Sequence, residues 1–186
     1  MHSIDRLRGA LAVTLFVCAG CPHYLGPREP DQYDGCASNE HWVTFDRVEK
    51  AATVDGTRAP WFTAPAAGAT VPGAPSPRFA WQPSPSATGR DFGDATCAQC
   101  TICGQLAAQH LPPITGTVYD LQLTVDEAIE WRVLSTLQVW TPPDDLWASW
   151  RGKQVSLRAW ELPLDDNQAT MGVFTSASPL VFEVAQ

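Results

Sequence analysis

After residue 20 the chain has no cluster of basic residues, and acidic residues outnumber basic ones overall, 20 to 12, for a net charge of −8. That balance makes nucleic acid and anionic lipid headgroups poor partners on electrostatic grounds. No apolar run reaches the roughly 20 residues that a membrane-spanning helix needs. No GxSxG, no HExxH and no phosphate-cradling glycine loop occurs. Histidine is scarce, with four in all. Of the three beyond residue 20, His23, His41 and His110, none has a metal-type partner at short spacing, and each reads as an ordinary surface or loop residue. The carboxylate groups Asp126-Glu127…Glu130, Asp144-Asp145 and Asp165-Asp166 all fall at predicted turns, where aspartates serve local hydrogen bonds. The expectation is no catalytic residue, no metal, no cofactor and no enzyme activity.

Hydrophobic residues make up 45% of the 186 positions, and eight are tryptophan, which points to a packed body rather than disorder. The 16 prolines and 13 glycines are spread through the chain and interrupt helical periodicity. The N-terminus differs from the rest. Arg6 and Arg8 precede an uncharged, mostly apolar stretch from Gly9 to Ala19, which has the length and flanks of a signal-peptide core. Ala19 and Gly20 follow, then Cys21.

Cys18-Ala19-Gly20-Cys21 resembles the lipobox of bacterial lipoproteins, with Cys18 standing where leucine is usual. The resemblance implies a diacylglycerol thioether on Cys21, cleavage before it, and acylation of the new N-terminus. It also implies anchoring in the bacterial envelope, since each buried methylene contributes about 0.8 kcal/mol to membrane binding. Pro22, rather than aspartate, after the cysteine implies delivery to the outer membrane. The alternative is an ordinary secretory signal cut near Ala19 or Gly20. The expected organisation is a signal peptide over 1–20, a flexible tether over 21–40, and one domain over 41–186.

That domain reads as β. Residues 42–48 are rich in β-branched and aromatic side chains, and 61–63, 70–71 and 78–82 are short strand candidates. Over 119–125 the odd positions are apolar and the even ones polar, the period of a half-buried strand. Residues 131–140 and 154–160 alternate as well, and 180–184 closes the chain. Helix signals are confined to 103–110 and 144–150. About seven strands between Pro/Gly-rich loops predict an antiparallel β-sandwich. The run from Gly68 to Gly73 followed by Arg78-Phe79-Ala80-Trp81, and the stretch Arg151 to Ala159, resemble fibronectin type III-like domains. In those domains a tryptophan of the second strand fills the core; Val155 stands where the family has tyrosine. The resemblance covers about 60–186 and leaves an insert at about 84–116.

Six cysteines occur. Setting aside Cys18 and Cys21 leaves Cys36, Cys97, Cys100 and Cys103, an even set. In an exported chain this predicts two disulfides with the pairing open. Any such pairing joins Cys36 to the cluster, and closing a loop of about sixty residues stabilises by about 4 kcal/mol. Four thiolates could instead hold zinc or an iron–sulfur cluster, or act as redox thiols. Alternation places Trp140 and Trp160 on the polar faces of their strands, where they could stack on a glycan or meet an envelope protein. The leading reading is a non-catalytic envelope lipoprotein with a binding or structural role. A carbohydrate-binding module and a thiol redox or metal protein are the alternatives.

Overall fold

Alternation at period two dominates the second half of the chain, and the strands it builds carry the fold. A computed structural model describes residues 29–51, 53–55, 57–83 and 115–186. Three long strands form the centre of the main sheet: β6 (Gly116–Val125), β7 (Ala128–Ser135) and β9 (Gln154–Asp165). β6 pairs antiparallel with both of the others, from Tyr119↔Ser135 to Val125↔Ala128 and from Gly116↔Leu164 to Val125↔Val155. The β6–β7 connection is a two-residue turn in which Asp126 and Glu127 both take positive φ, 51° and 67°. Such turns match the twist of the flanking strands.

β9 is long enough to serve two further partners on its other edge. Its first half pairs with β12 (Leu180–Val184), and Glu161 and Trp160 pair with β11 (Phe174–Thr175). β4 (Thr70–Val71) then lies parallel to β12, and β2 (Thr53–Val54) parallel to β11. A short β10 (Gln168–Ala169) folds back on the end of β9. The second sheet is antiparallel, in the order β3 (Trp61–Ala64), β5 (Phe79–Gln82), β8 (Val139–Trp140). The described chain is therefore mostly β, with a mixed sheet and a smaller antiparallel one.

The two sheets share a core. Tyr119, Leu121, Leu123 and Val125 from β6 meet Phe79 and Trp81 from β5, Val155, Leu157 and Ala159 from β9, and Phe182 from β12. Trp81 contacts Tyr119 edge-on at 5.5 Å, and Phe79 contacts Phe182 at 5.4 Å. Helix α2 (Asp144–Ser149) closes one end: its Trp147 is buried, and the indole N–H donates to the Pro72 carbonyl at 3.0 Å. Asp144 and Asp145 in its first turn suit the positive end of the helix dipole.

Two expectations are corrected by the N-terminal part. Residues 42–48 are not a strand but lie within helix α1 (Asn39–Glu49). Ser38 caps it in extended conformation, and the buried positions His41, Trp42 and Phe45 fall on one helical face. α1 packs on the outer face of the main sheet, over Val118, Leu134, Leu162, Leu164 and Val173. The stretch expected as tether is also folded from Gln32 onward: β1 (Gln32–Asp34) runs parallel to β7. The β7–β8 region is likewise two strands rather than one continuous strand over 131–140, and Leu137 between them is exposed.

Candidate functional site

Asp120 and Gln122 of β6 and Arg132 of β7, expected on polar faces, instead lie under α1. There they form a buried ionic cluster. Arg132 of β7 is 2% exposed and lies across from β6. Its Nε donates to Asp120 Oδ1 at 2.8 Å, and its NH2 group donates to Asp120 Oδ2 at 2.7 Å, a bidentate fork. The same NH2 reaches Glu49 Oε1 of α1 at 2.9 Å. Gln122 Nε2 donates to both carboxylates, at 2.8 Å to Asp120 and 3.2 Å to Glu49. The guanidinium carbon lies 4.4 Å from the Trp42 ring centroid and 5.9 Å from that of Phe45, so the cation also meets aromatic faces.

Charge balance in this cluster follows from burial and proximity. Burial lifts the Asp120 carboxyl above its ordinary value, against the opposing pull of Arg132 and Gln122. Burial alone would lower Arg132, but the bonds and charges of Asp120 and Glu49 win and hold it above its ordinary value. The guanidinium is thus locked as a cation between two carboxylates. That arrangement positions α1 on the sheet.

A second polar junction pins the other end of α1. His41 is 1% exposed. Its Nδ1 accepts the Ser38 backbone N–H at 3.0 Å, and its Nε2 lies 3.0 Å from Asn167 Oδ1. A backbone N–H only donates, so Nδ1 carries the lone pair and Nε2 the proton, which it gives to Asn167. Asn167 sits at φ 59° in the β9–β10 turn, beside Asp166 at φ 52°. Thr44 Oγ1 also donates to the Asn167 carbonyl at 3.2 Å. Burial holds the His41 ring below its ordinary value, against the upward pull of the Asn167 bond and of Glu40.

The candidate tryptophans are placed differently from expectation. Trp140 is buried, at 2% exposure, stacked on Phe79 at 5.8 Å with its indole N–H donating to Gln32 Oε1 at 3.2 Å. No face of that ring is open for stacking, because β8 belongs to the second sheet and turns Trp140 into the shared core. Trp160 is half-buried and packs against the α1-side cluster. Alternation along a strand does not show what covers its polar face: the α1-side cluster covers part of Trp160, and the shared core takes Trp140.

Cys36 is disulfide-bonded. Cys18, Cys21, Cys97, Cys100 and Cys103 lie outside the described residues, as do His23, His110, the short helix expected over 103–110 and nearly all of the 84–116 insert. The turn holding Cys36 is tightly fixed: its N–H donates to Thr136 Oγ1 at 2.9 Å. Gly35 before it has φ 64°, and a Cβ there would fall 2.5 Å from the same oxygen, so only glycine fits. The turn carboxylates have local roles. Asp144 accepts from Ser76 Oγ at 2.6 Å, and Asp165 accepts from Thr115 Oγ1 at 2.9 Å, while Asp126, Glu127 and Glu130 are exposed. Tyr119, buried beside Glu161 on the neighbouring strand, has its hydroxyl pushed well up by burial.

Sequence patterning missed the Asp120–Arg132 pair and His41 as buried groups. The available signal was in α1: Trp42, Phe45 and Val48 repeat every three residues, behind a serine cap and a hydrogen-bonding side chain three positions later. Helices of the described residues include none long and apolar enough to cross a membrane, and no cluster of metal-ligating side chains occurs among them. No family model, curated protein or solved structure matches the chain.

Proposed function

We propose that this protein is a non-catalytic lipoprotein of the bacterial envelope, anchored through lipid on Cys21, whose folded part serves a binding or structural role at the outer membrane. The observation that carries the reading is the order of features at the N-terminus: Arg6 and Arg8, an uncharged stretch to Ala19, then Gly20-Cys21. The fold adds a geometric constraint. β1 starts at Gln32, so ten residues, 22–31, separate the anchor from the first strand. Fully extended, ten residues reach about 35 Å, so the lipid would hold the domain close to the headgroups.

A fibronectin type III-like sandwich is the architecture we infer. β3-β5-β8 on one side and β7-β6-β9-β12 on the other support it, as does Trp81 buried in the shared core from β5. In this reading α1 is an addition outside the sandwich. Cys36 would pair with one of Cys97, Cys100 and Cys103, which would tie the β1–α1 turn to the insert. The burial of Trp140 counts against glycan stacking through that residue.

Mass spectrometry of the mature N-terminus tests the address. The expected product starts at Cys21 and carries a diacylglycerol thioether, and Cys21→Ser should move the protein from the membrane to the soluble fraction. An unmodified Cys21, or a mature chain starting elsewhere, would sink the proposal.

A further inference from the structure

We infer that His41 is a proton-operated latch that holds the N-terminal half of α1 on the main sheet and lets go of it in mild acid. The geometry carries this. His41 occupies the third helical position, where a glutamine or glutamate side chain usually reaches back to the N-cap backbone N–H. Here the imidazole performs that task through Nδ1, and its other nitrogen binds Asn167 on the β9–β10 turn. One ring therefore joins the helix start to the sheet; its Nε2–H bond to Asn167 exists in either protonation state, but Nδ1 can accept the Ser38 N–H only in the neutral ring. Adding a proton places N–H on Nδ1, aimed at the N–H of Ser38. Ser38 Oγ, also 3.0 Å away, can accept the new proton, but the Ser38 N–H then loses its acceptor. The charged ring must also stay buried at 1% exposure.

Among the groups facing the ring, the Asn167 bond and Glu40 favour the charged form, but burial outweighs them. Ser38 from the β1–α1 link and Asn167 from the β9–β10 turn are both uncharged. Glu40 on α1 is the charged neighbour felt by the ring. Asp165 and Asp166 stand on the same turn as Asn167, and Asp165 already accepts from Thr115. The C-terminal end of α1 has a separate hold, Glu49 to Arg132, so release is confined to the first two turns. What moves is Trp42, which leaves the face of Arg132.

The sign follows from linkage. A histidine held below its ordinary value contributes stability that is present above about pH 6.5 and is lost as pH falls through its folded value. Amide hydrogen exchange on the full chain at pH 7.5 and pH 5.0, corrected for intrinsic rates, reads this directly. Trp42 to Phe45 should lose protection several-fold at pH 5.0, while Leu121 and Leu157 in the shared core keep theirs. His41→Gln retains a capping acceptor but does not titrate, so its helix protection should be the same at both pH values. Unchanged protection of Trp42 to Phe45 in the wild type overturns the latch, as does an equal loss in the glutamine variant or simultaneous opening of the core. Should the variant not fold, NMR titration of the wild-type ring decides: its midpoint must coincide with that of helix opening, and separate midpoints reject the proposal.

Discussion

Arg132 shows how one side chain can be both a liability and a lock. Removing a guanidinium from water is costly, and the pair it forms with Asp120 recovers that cost only because both forks are filled and Glu49 and two aromatic rings complete the shell. Truncation leaves Asp120 buried beside Glu49 with no cation between them. Arg132→Ala should therefore destabilise by about 3–5 kcal/mol, measured by urea denaturation at pH 7.5. The double variant Asp120→Leu with Arg132→Met removes both charges and should lose much less. A loss in the double variant as large as in Arg132→Ala would show that the packing of α1, rather than an orphaned charge, sets the cost. None of this was legible in sequence. Asp120 and Arg132 occupy the polar phase of alternating strands, and alternation reports which residues share a face without reporting what covers it.

At the scale of elements, the strands were readable because each rule that applied was local. The alternation over 119–125 and 154–160 became β6 and β9, and Asp126-Glu127 and Asp166 became turns, whereas Asp144 and Asp145 open α2 and Glu130 lies within β7. Residues 42–48 failed for a physical reason: Trp42, Val43, Thr44, Phe45 and Val48 have strand-like intrinsic preference, and tertiary burial of one helical face overrides it. The β6–β7 turn tests the local side of this balance. Asp126 and Glu127 both hold positive φ without being glycine, a conformation costing about 1–2 kcal/mol for an L-residue. Glu127→Gly should relieve part of that, raising the urea midpoint with an unchanged slope. A lowered midpoint would mean that the exposed Glu127 side chain contributes more to the hairpin than its backbone conformation costs.

For the whole molecule, the decisive fact is that one sheet serves two cores. Tyr119, Leu121 and Leu123 of β6 pack toward Trp81 and Phe79, while Val118 of the same strand packs toward α1 with Leu134 and Phe45. Neither side can be lost without exposing the back of strands that the other side needs. Above the range in which His41 titrates, α1 and the two sheets should therefore unfold together. Phe45→Ala on the helix side should destabilise by about 3–5 kcal/mol, the usual cost of emptying a buried phenylalanine site, and Trp81→Ala on the other side by a similar amount. At pH 7.5 each variant should still show a single urea transition, with far-ultraviolet and near-ultraviolet dichroism midpoints coincident. A Phe45→Ala protein that lost helix signal first, leaving the aromatic core signal intact to higher urea, would mean that α1 is an independently detachable layer and that the shared sheet does not couple the two cores.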